Sequence, residues 1–379
     1  MKKIAVVLMA ALILVSCGAV YAAGGAGSET LITLSYLNNT YIPDAVKQAG
    51  ERVDAKTAQT YQTALNTLDA KQNAYLGGSG GGDTASALLD RRVKRGDAIT
   101  LTTGSGAVLL AGSALVSYSG GAVVDVTAGQ VLASGSAMAV NRRCLAAEQT
   151  TAVITITSDT AVISLEGAPV VNPSAETDYN ALADALKAMG MFKGTDTGYG
   201  SGYDLEKVPT RIEGLIMFLR MVGEEQAALA YTGSTAFVDV PDWCRRYVAY
   251  AYDKGYTKGV GPNDKGQPCF GTSRTIGAGE YVTFILRALG YADSGESPDF
   301  AWDTALARAG QLGVLTAGEG TLFSGKTFTR AQVAYLSFFT LTASMKDGGG
   351  TLLDHLSALG ALDGAAVRAV MGSVPVARI

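Results

Sequence analysis

Two tetrapeptides carry side chains from which a binding chemistry can be assembled: Thr210-Arg211-Ile212-Glu213 and Thr329-Arg330-Ala331-Gln332. Thr-x-x-Glu and Thr-x-x-Gln are capping boxes, in which the hydroxyl takes the third N–H of a helix and the acid or amide reaches back to the cap. Thr210 and Thr329 are therefore expected at helix N-termini, with Glu213 and Gln332 closing the boxes. That places Arg211 and Arg330 in the first turn, where a cation opposes the helix dipole and needs another partner. Free N–H groups at a helix start attract anions, and a guanidinium fork beside them recognises a carboxylate through two parallel bonds. The same residues also fit a second reading, an arginine paired with a neighbouring carboxylate that braces two elements. Residue chemistry leaves both open.

Catalytic chemistry has fewer materials. The chain holds one histidine, His355, and four cysteines. That excludes the usual zinc sites and every histidine-dependent triad not built on His355. No catalytic residue, metal or cofactor is expected. With 30 Lys and Arg against 34 Asp and Glu, the charge balance carries no footprint for nucleic acid.

The elements that must position the two tetrapeptides belong to a degenerate repeat over residues 178–342. Each copy opens on an aromatic residue and reaches a glycine through apolar residues at helical spacing: Tyr179 to Gly190, Trp243 to Gly255, Trp302 to Gly313. Each glycine suits the left-handed residue that ends a helix. A loop with an aromatic follows (Tyr203, Phe270, Phe323), then the signature, then a second helix. Leu215, Phe218, Leu219 and Val222 of the first copy match Val282, Ile285, Leu286 and Leu289 of the second. The second copy reads Gly277-Ala278-Gly279-Glu280, with alanine in place of the arginine and Arg274 close by but outside the motif. The opening aromatics could stack on the face of a ligand ring, but are expected in the core.

The order aromatic, helix, Gly, loop, Thr-Arg-Ala-Glu-like signature and helix resembles the S-layer homology (SLH) repeat of bacterial surface proteins. Phe237-Val238-Asp239-Val240-Pro241-Asp242-Trp243 and Gly255-Tyr256-Thr257-Lys258-Gly259 match that family's opening and mid-repeat turn. The resemblance covers 178–342, with copies at 178–225, 236–292 and 298–342. It implies a three-pronged all-α module that holds secondary cell-wall polysaccharide or peptidoglycan, often through pyruvylated sugars. It assigns polysaccharide binding to Arg211, Thr210 and Glu213 and to Arg330, Thr329 and Gln332. The second copy, lacking the arginine, leaves at most two fully equipped sites.

Upstream, Lys2 and Lys3 followed by apolar 4–15 read as an export signal, 1–23. Leu14-Val15-Ser16-Cys17 is a complete lipobox, which would lipidate Cys17 and bring the membrane in as a partner; Val20-Tyr21-Ala22 suits ordinary cleavage. Residues 24–76 show helical periodicity, and 77–91 is a Gly-rich linker. Residues 92–168 alternate with period two, as in Ile99, Leu101 and Ile154, Ile156, and predict a small antiparallel β-domain. Its acids Asp97, Asp125, Glu148, Asp159 and Glu166 show no spacing tied to chemistry, and Asp125 and Asp159 suit turns or edges. Residues 343–379 are expected to form one or two short helices packing back on the module, with His355 at their boundary. Cys244 and Cys269 are near enough in sequence to pair, or to remain buried thiols.

The expected protein is thus α+β and multidomain: N-terminal helical segment, small β-domain, three-pronged helical module. The function expected is a non-catalytic, exported protein anchored to the cell wall at the surface. Two alternatives stand beside it. A wall-active glycan hydrolase would need two carboxylates across a cleft, in an N-terminal half that is small and acid-poor. A lattice subunit or adhesin differs mainly in what that half does.

Overall fold

The computed structural model describes residues 42–44, 46–48, 56, 60 and 88–379 apart from 196 and 326. The chain divides into two units, Met1–Asp83 and Thr84–Ile379. In the first, the described residues are helical, and the Thr60 hydroxyl donates to Lys56 O at 2.8 Å. The signal, Cys17 and nearly all of the 24–76 segment lie outside the described residues.

In the second unit, period-two alternation of β-branched residues builds two antiparallel sheets. One has the order β1(Leu89–Lys94), β10(Thr160–Glu166), β3(Gly106–Ala111), β8(Arg143–Ala146), β5(Val123–Asp125), β6(Gln130–Leu132). The other runs β11(Val170–Asn172), β2(Ala98–Leu101), β9(Thr151–Ile156), β4(Ala114–Ser119), β7(Ser136–Ala137). Ile99 faces Ile154, which also faces Val116. These residues, with Leu101, Leu109, Ile156 and Ile163, form one fully buried core. A sandwich of this kind buries one face of each sheet.

The sandwich starts earlier than the sequence suggests. Leu89, expected in the linker, opens strand β1, whose residues pair with β10 from Leu89↔Leu165 to Lys94↔Thr160. β1 reads Leu-Asp-Arg-Arg-Val-Lys because its outward side meets charged groups rather than a second apolar layer. Arg92 forks onto Asp184 at 3.0 and 2.8 Å and lies 4.7 Å over the Tyr203 ring. Asn180 Nδ2 donates to Val93 O at 3.3 Å, and Gln332 Nε2 to Asp159 Oδ2 at 3.1 Å. The sandwich has its own core, yet it is fastened to the helices by charge and amide contacts no periodicity announces.

The helices follow as pairs: α1(Tyr179–Ala188) with α2(Arg211–Met221), α4(Arg245–Asp253) with α5(Ala278–Ala288), α6(Ala305–Gln311) with α8(Arg330–Phe339). Short helices α3(Glu225–Ala230) and α7(Ala317–Phe323) lie between them, and α9(Leu352–Ala358) and α10(Gly364–Ser373) follow. Gly190, Gly255 and Gly313 have φ of 75°, 76° and 73°. Each lies just past a helix end, in the left-handed region a side chain resists. One apolar cluster joins all three pairs, with Phe218, Phe284, Tyr281, Tyr335 and Leu336 at its centre. Mixed helices and antiparallel sheets make the chain α+β.

Candidate functional site

The two capping boxes differ in completeness. Thr210 N–H donates to Glu213 Oε2 at 2.6 Å, and Glu213 N–H donates to Thr210 Oγ1 at 3.4 Å. Thr329 N–H donates to Gln332 Oε1 at 2.9 Å, while its hydroxyl is buried without a partner. In the second copy only the acid side of the box exists: Gly277 N–H donates to Glu280 Oε2 at 3.2 Å.

The free N–H groups expected beside Arg211 and Arg330 are already taken. Arg211 N–H donates to Arg274 O at 2.7 Å and Ile212 N–H to Thr272 O at 3.4 Å. Arg330 N–H donates to Lys207 O at 2.8 Å and Ala331 N–H to Leu205 O at 3.0 Å. One copy's helix start is therefore satisfied by the loop of another, and no anion is needed to complete it.

Both arginines are buried, and the structure places them in different clefts. Arg211, 4% exposed, reaches Glu280 Oε1 with Nη1 at 2.8 Å and Thr257 Oγ1 with Nη2 at 3.5 Å. Its guanidinium lies 5.2 and 5.1 Å from the Phe270 and Phe284 ring centres. Burial pulls its pKa down to about 10, and Glu280 pulls against that. Its Nε–H is left without an acceptor. Arg330 donates to Tyr203 O at 3.0 Å and Lys193 O at 3.3 Å, with Met217 Sδ at 3.6 Å and the Phe192 ring at 5.3 Å. Among the described residues its partners are carbonyls and a thioether rather than a carboxylate, and burial lowers its pKa. Arg211 is thus ion-paired with Glu280 of the next copy, the geometry of the bracing reading. Gln332 is buried and engaged by Asp159 of the sandwich, while exposed Glu213 lines the Arg330 cleft.

The larger cleft, about 790 Å³, is lined by Arg211, Lys258, Arg274, Glu280, Arg287, Asp293 and Trp302, among others. Lys258 Nζ sits 2.6 Å from Asp293 Oδ1, and Arg287 Nη2 sits 2.5 Å from Asp293 Oδ2. Arg274, half exposed, shares Glu280 with Arg211. Four cations against two carboxylates leave the cleft positive. Trp302 is 67% exposed and Trp243 64%, which corrects the expectation of core for both; Tyr179 alone of the three is buried. The indoles stay out because the short 3₁₀ turns Asp242–Cys244 and Trp302–Thr304 set them at the start of a copy. Lys258, Arg287 and Asp293 are residues the motif reading assigned to no site. Lys258 was visible in its Gly-x-x-Lys-Gly turn, but its convergence with a tryptophan 44 positions on was not.

The first copy repeats the arrangement. Lys193 Nζ lies 2.7 Å from Glu225 Oε2, and Arg220 Nε donates to Glu225 Oε1 at 2.8 Å. The adjoining cleft, about 430 Å³, is lined by Thr195, Thr197, Asp204, Lys207, Val208, Glu213 and Arg330. Asp204 fills part of it, accepting from Thr197 at 2.6 Å and Lys207 at 2.9 Å.

These acids set a pH dependence. Burial pushes Glu225 and Asp293 up, but hydrogen bonds from Arg220 and Lys193, and from Arg287 and Lys258, hold both below the ordinary carboxylate value. A depressed folded pKa gives stability that is present above the unfolded value, about 4, and lost as pH falls through the folded one. The melting temperature should therefore hold from pH 5 upward and fall below about pH 4. Glu225→Gln with Asp293→Asn should flatten that fall; an unchanged acid limb would contradict it.

Cys144, Cys244 and Cys269 are all free thiols, so the open question of a Cys244–Cys269 pair is answered by separate sulfurs. His355 is exposed on α9. Among the described residues no cluster of His, Cys, Asp and Glu suits a metal, and no helix is long and apolar enough to cross a membrane.

Comparison with known proteins gives a partial likeness. No family model matches the chain. Over 167 residues it is 29% identical to a protein described as "Surface layer protein" from Brevibacillus choshinensis. The match takes in 43% of this chain and 12% of that relative. The chain thus spans about an eighth of the length of the curated relative it matches, and part of it is similar to an S-layer protein.

Proposed function

We propose that the protein is a non-catalytic cell-surface protein whose helical repeats hold an anionic cell-wall polysaccharide, such as a pyruvylated polymer. The observation that carries this reading is the larger cleft: a net positive lining with a solvent-facing tryptophan at its rim. A carboxylate-bearing sugar presents a flat face for the indole and an acceptor for the cations. Recognition is then local, because the net charge of −4 gives no general attraction to an anionic wall. Arg211 and Arg330 act in this reading as buried braces that hold the cleft walls, and the contacts fall to Lys258, Arg274 and Trp302. Export and surface location follow from the same reading, with the S-layer relative as support. No enzyme activity is proposed.

The test is retention of the full chain by purified cell-wall sacculi with and without their secondary polymer. Retention should disappear with the polymer. Lys258→Ala should weaken it about fivefold, the loss of one partly screened charge contact of ~1 kcal/mol. Equal retention on stripped sacculi would end the reading.

A further inference from the structure

The third copy departs from the other two at the positions that build their cation clusters. Arg220 and Arg287 stand nine residues beyond the signature positions Arg211 and Ala278, but the same offset from Arg330 gives Phe339. Lys193 and Lys258 stand three residues beyond Gly190 and Gly255, where Gly313 is followed by Thr316. The third copy has lost both cations, yet an arginine occupies its cluster.

That arginine is Arg378. Its Nη2 donates to Val314 O at 2.6 Å, as Arg287 Nη1 donates to Tyr256 O at 2.7 Å, each carbonyl belonging to the residue after the helix-ending glycine. Arg378 forks onto Glu319 at 2.7 and 2.8 Å, and the Glu319 side chain is 0% exposed. The guanidinium lies 6.0 Å from the centre of the Phe339 ring, the residue that replaces the missing arginine. Thr316 Oγ1 donates to Ile379 O at 2.5 Å, and Ile379 N–H donates to Tyr335 OH at 2.8 Å.

The segment that delivers Arg378 lies as a bound peptide would. Residues 374–379 form no helix or strand, and Val374, Val376 and Arg378 are half-buried while Pro375, Ala377 and Ile379 are exposed. Val374 and Val376 pack on the apolar cluster of the helices. Alternate burial is the signature of an extended chain laid in a groove, with pockets for every second side chain.

We propose that the third repeat carries a peptide-binding groove and that residues 374–379 are its ligand in cis, anchored by Arg378 on Glu319. The class of ligand is an extended peptide with aliphatic residues at alternate positions ahead of an arginine. The groove takes a peptide where the other two copies keep Lys–acid–Arg clusters of their own. The inference stands apart from polysaccharide binding.

A fluorescent peptide with the sequence of residues 374–379 tests it on the full chain. Tethering gives the native segment a high effective concentration, so the wild-type chain should hardly take up the peptide. Arg378→Ala should open the groove and bind the peptide at least tenfold more tightly than wild type does. Adding Glu319→Gln should remove that binding, while the amide keeps the Thr316 cap. Equal uptake by wild type and folded Arg378→Ala would overturn the proposal. Should Arg378→Ala fail to fold, a protease site inserted after Ser373 replaces it. After cleavage the hexapeptide should stay with the protein in native mass spectrometry and be displaced by excess labelled peptide. Its immediate loss on cleavage would overturn the proposal.

Discussion

Arg211→Ala should lower the stability of the folded chain by about 3 kcal/mol, with a fall in melting temperature of roughly 5–7 °C. The guanidinium is buried between the first two copies, stacked near two phenylalanine rings and paired with Glu280. A desolvated cation–π contact is worth about 2 kcal/mol. Breaking a buried ion pair costs about 3–5 kcal/mol when it strands the partner. Here Glu280 keeps Arg274 and is partly exposed, so the lower end applies. The void left beside Phe270 and Phe284 adds a packing term. Arg211→Lys should recover less than half, because an ammonium can neither lie flat against the rings nor reach Glu280 and Thr257 together. Arg274→Ala is the control: its side chain is half exposed, and the change should stay under ~1 kcal/mol. Thermal and urea unfolding of the three variants measure this. Wild-type stability in Arg211→Ala would show that the guanidinium does not brace the copies.

Trp302→Ala should do the reverse, leaving stability within about 0.5 kcal/mol of wild type and weakening retention on polymer-bearing sacculi roughly thirtyfold. The indole is 67% exposed and buries little on folding, so its removal leaves no cavity. It stands on the cleft rim with Lys258 and Arg274, where a sugar ring can stack on its face. An indole that stands open until a sugar ring covers it is worth about 2 kcal/mol of stacking and desolvation, which is the thirtyfold change. Trp302→Phe should recover part of it. Trp243→Ala, equally exposed but outside the larger cleft's lining, separates a loss of that cleft from a general loss of surface aromatics. Full retention by a folded Trp302→Ala would remove the cleft from the proposed function.

What residues decide locally was readable from the chain. Helix spans followed from apolar spacing, as at Leu182 and Leu186 in α1 and Leu215, Phe218 and Leu219 in α2. The glycines at 190, 255 and 313 ended helices because only a residue without Cβ enters the left-handed region freely. Ile99, Leu101, Ile154 and Ile156 alternated because each β-sheet has one dry face. The Thr210 box closed because its partners lie three residues apart. Leu89–Arg91 fell to the linker because the outward face of β1 meets charged partners, and charge carries no period.

Tertiary structure decided everything that depends on residues far apart. It used up the helix-start N–H groups of Arg211 and Arg330 with carbonyls from other copies. It put Trp302 in water although its size and apolar character suit a core, because exposure is set by the neighbours of a 3₁₀ turn. It assembled Lys258, Asp293, Arg287 and Trp302 from two copies into one positive cleft. It also brought Arg378 across 59 residues to Glu319, where a buried carboxylate would otherwise stand alone. The physical reason is common to all four: hydrogen bonds, ion pairs and exposure are properties of who is adjacent in space, and a sequence states adjacency only over a few residues.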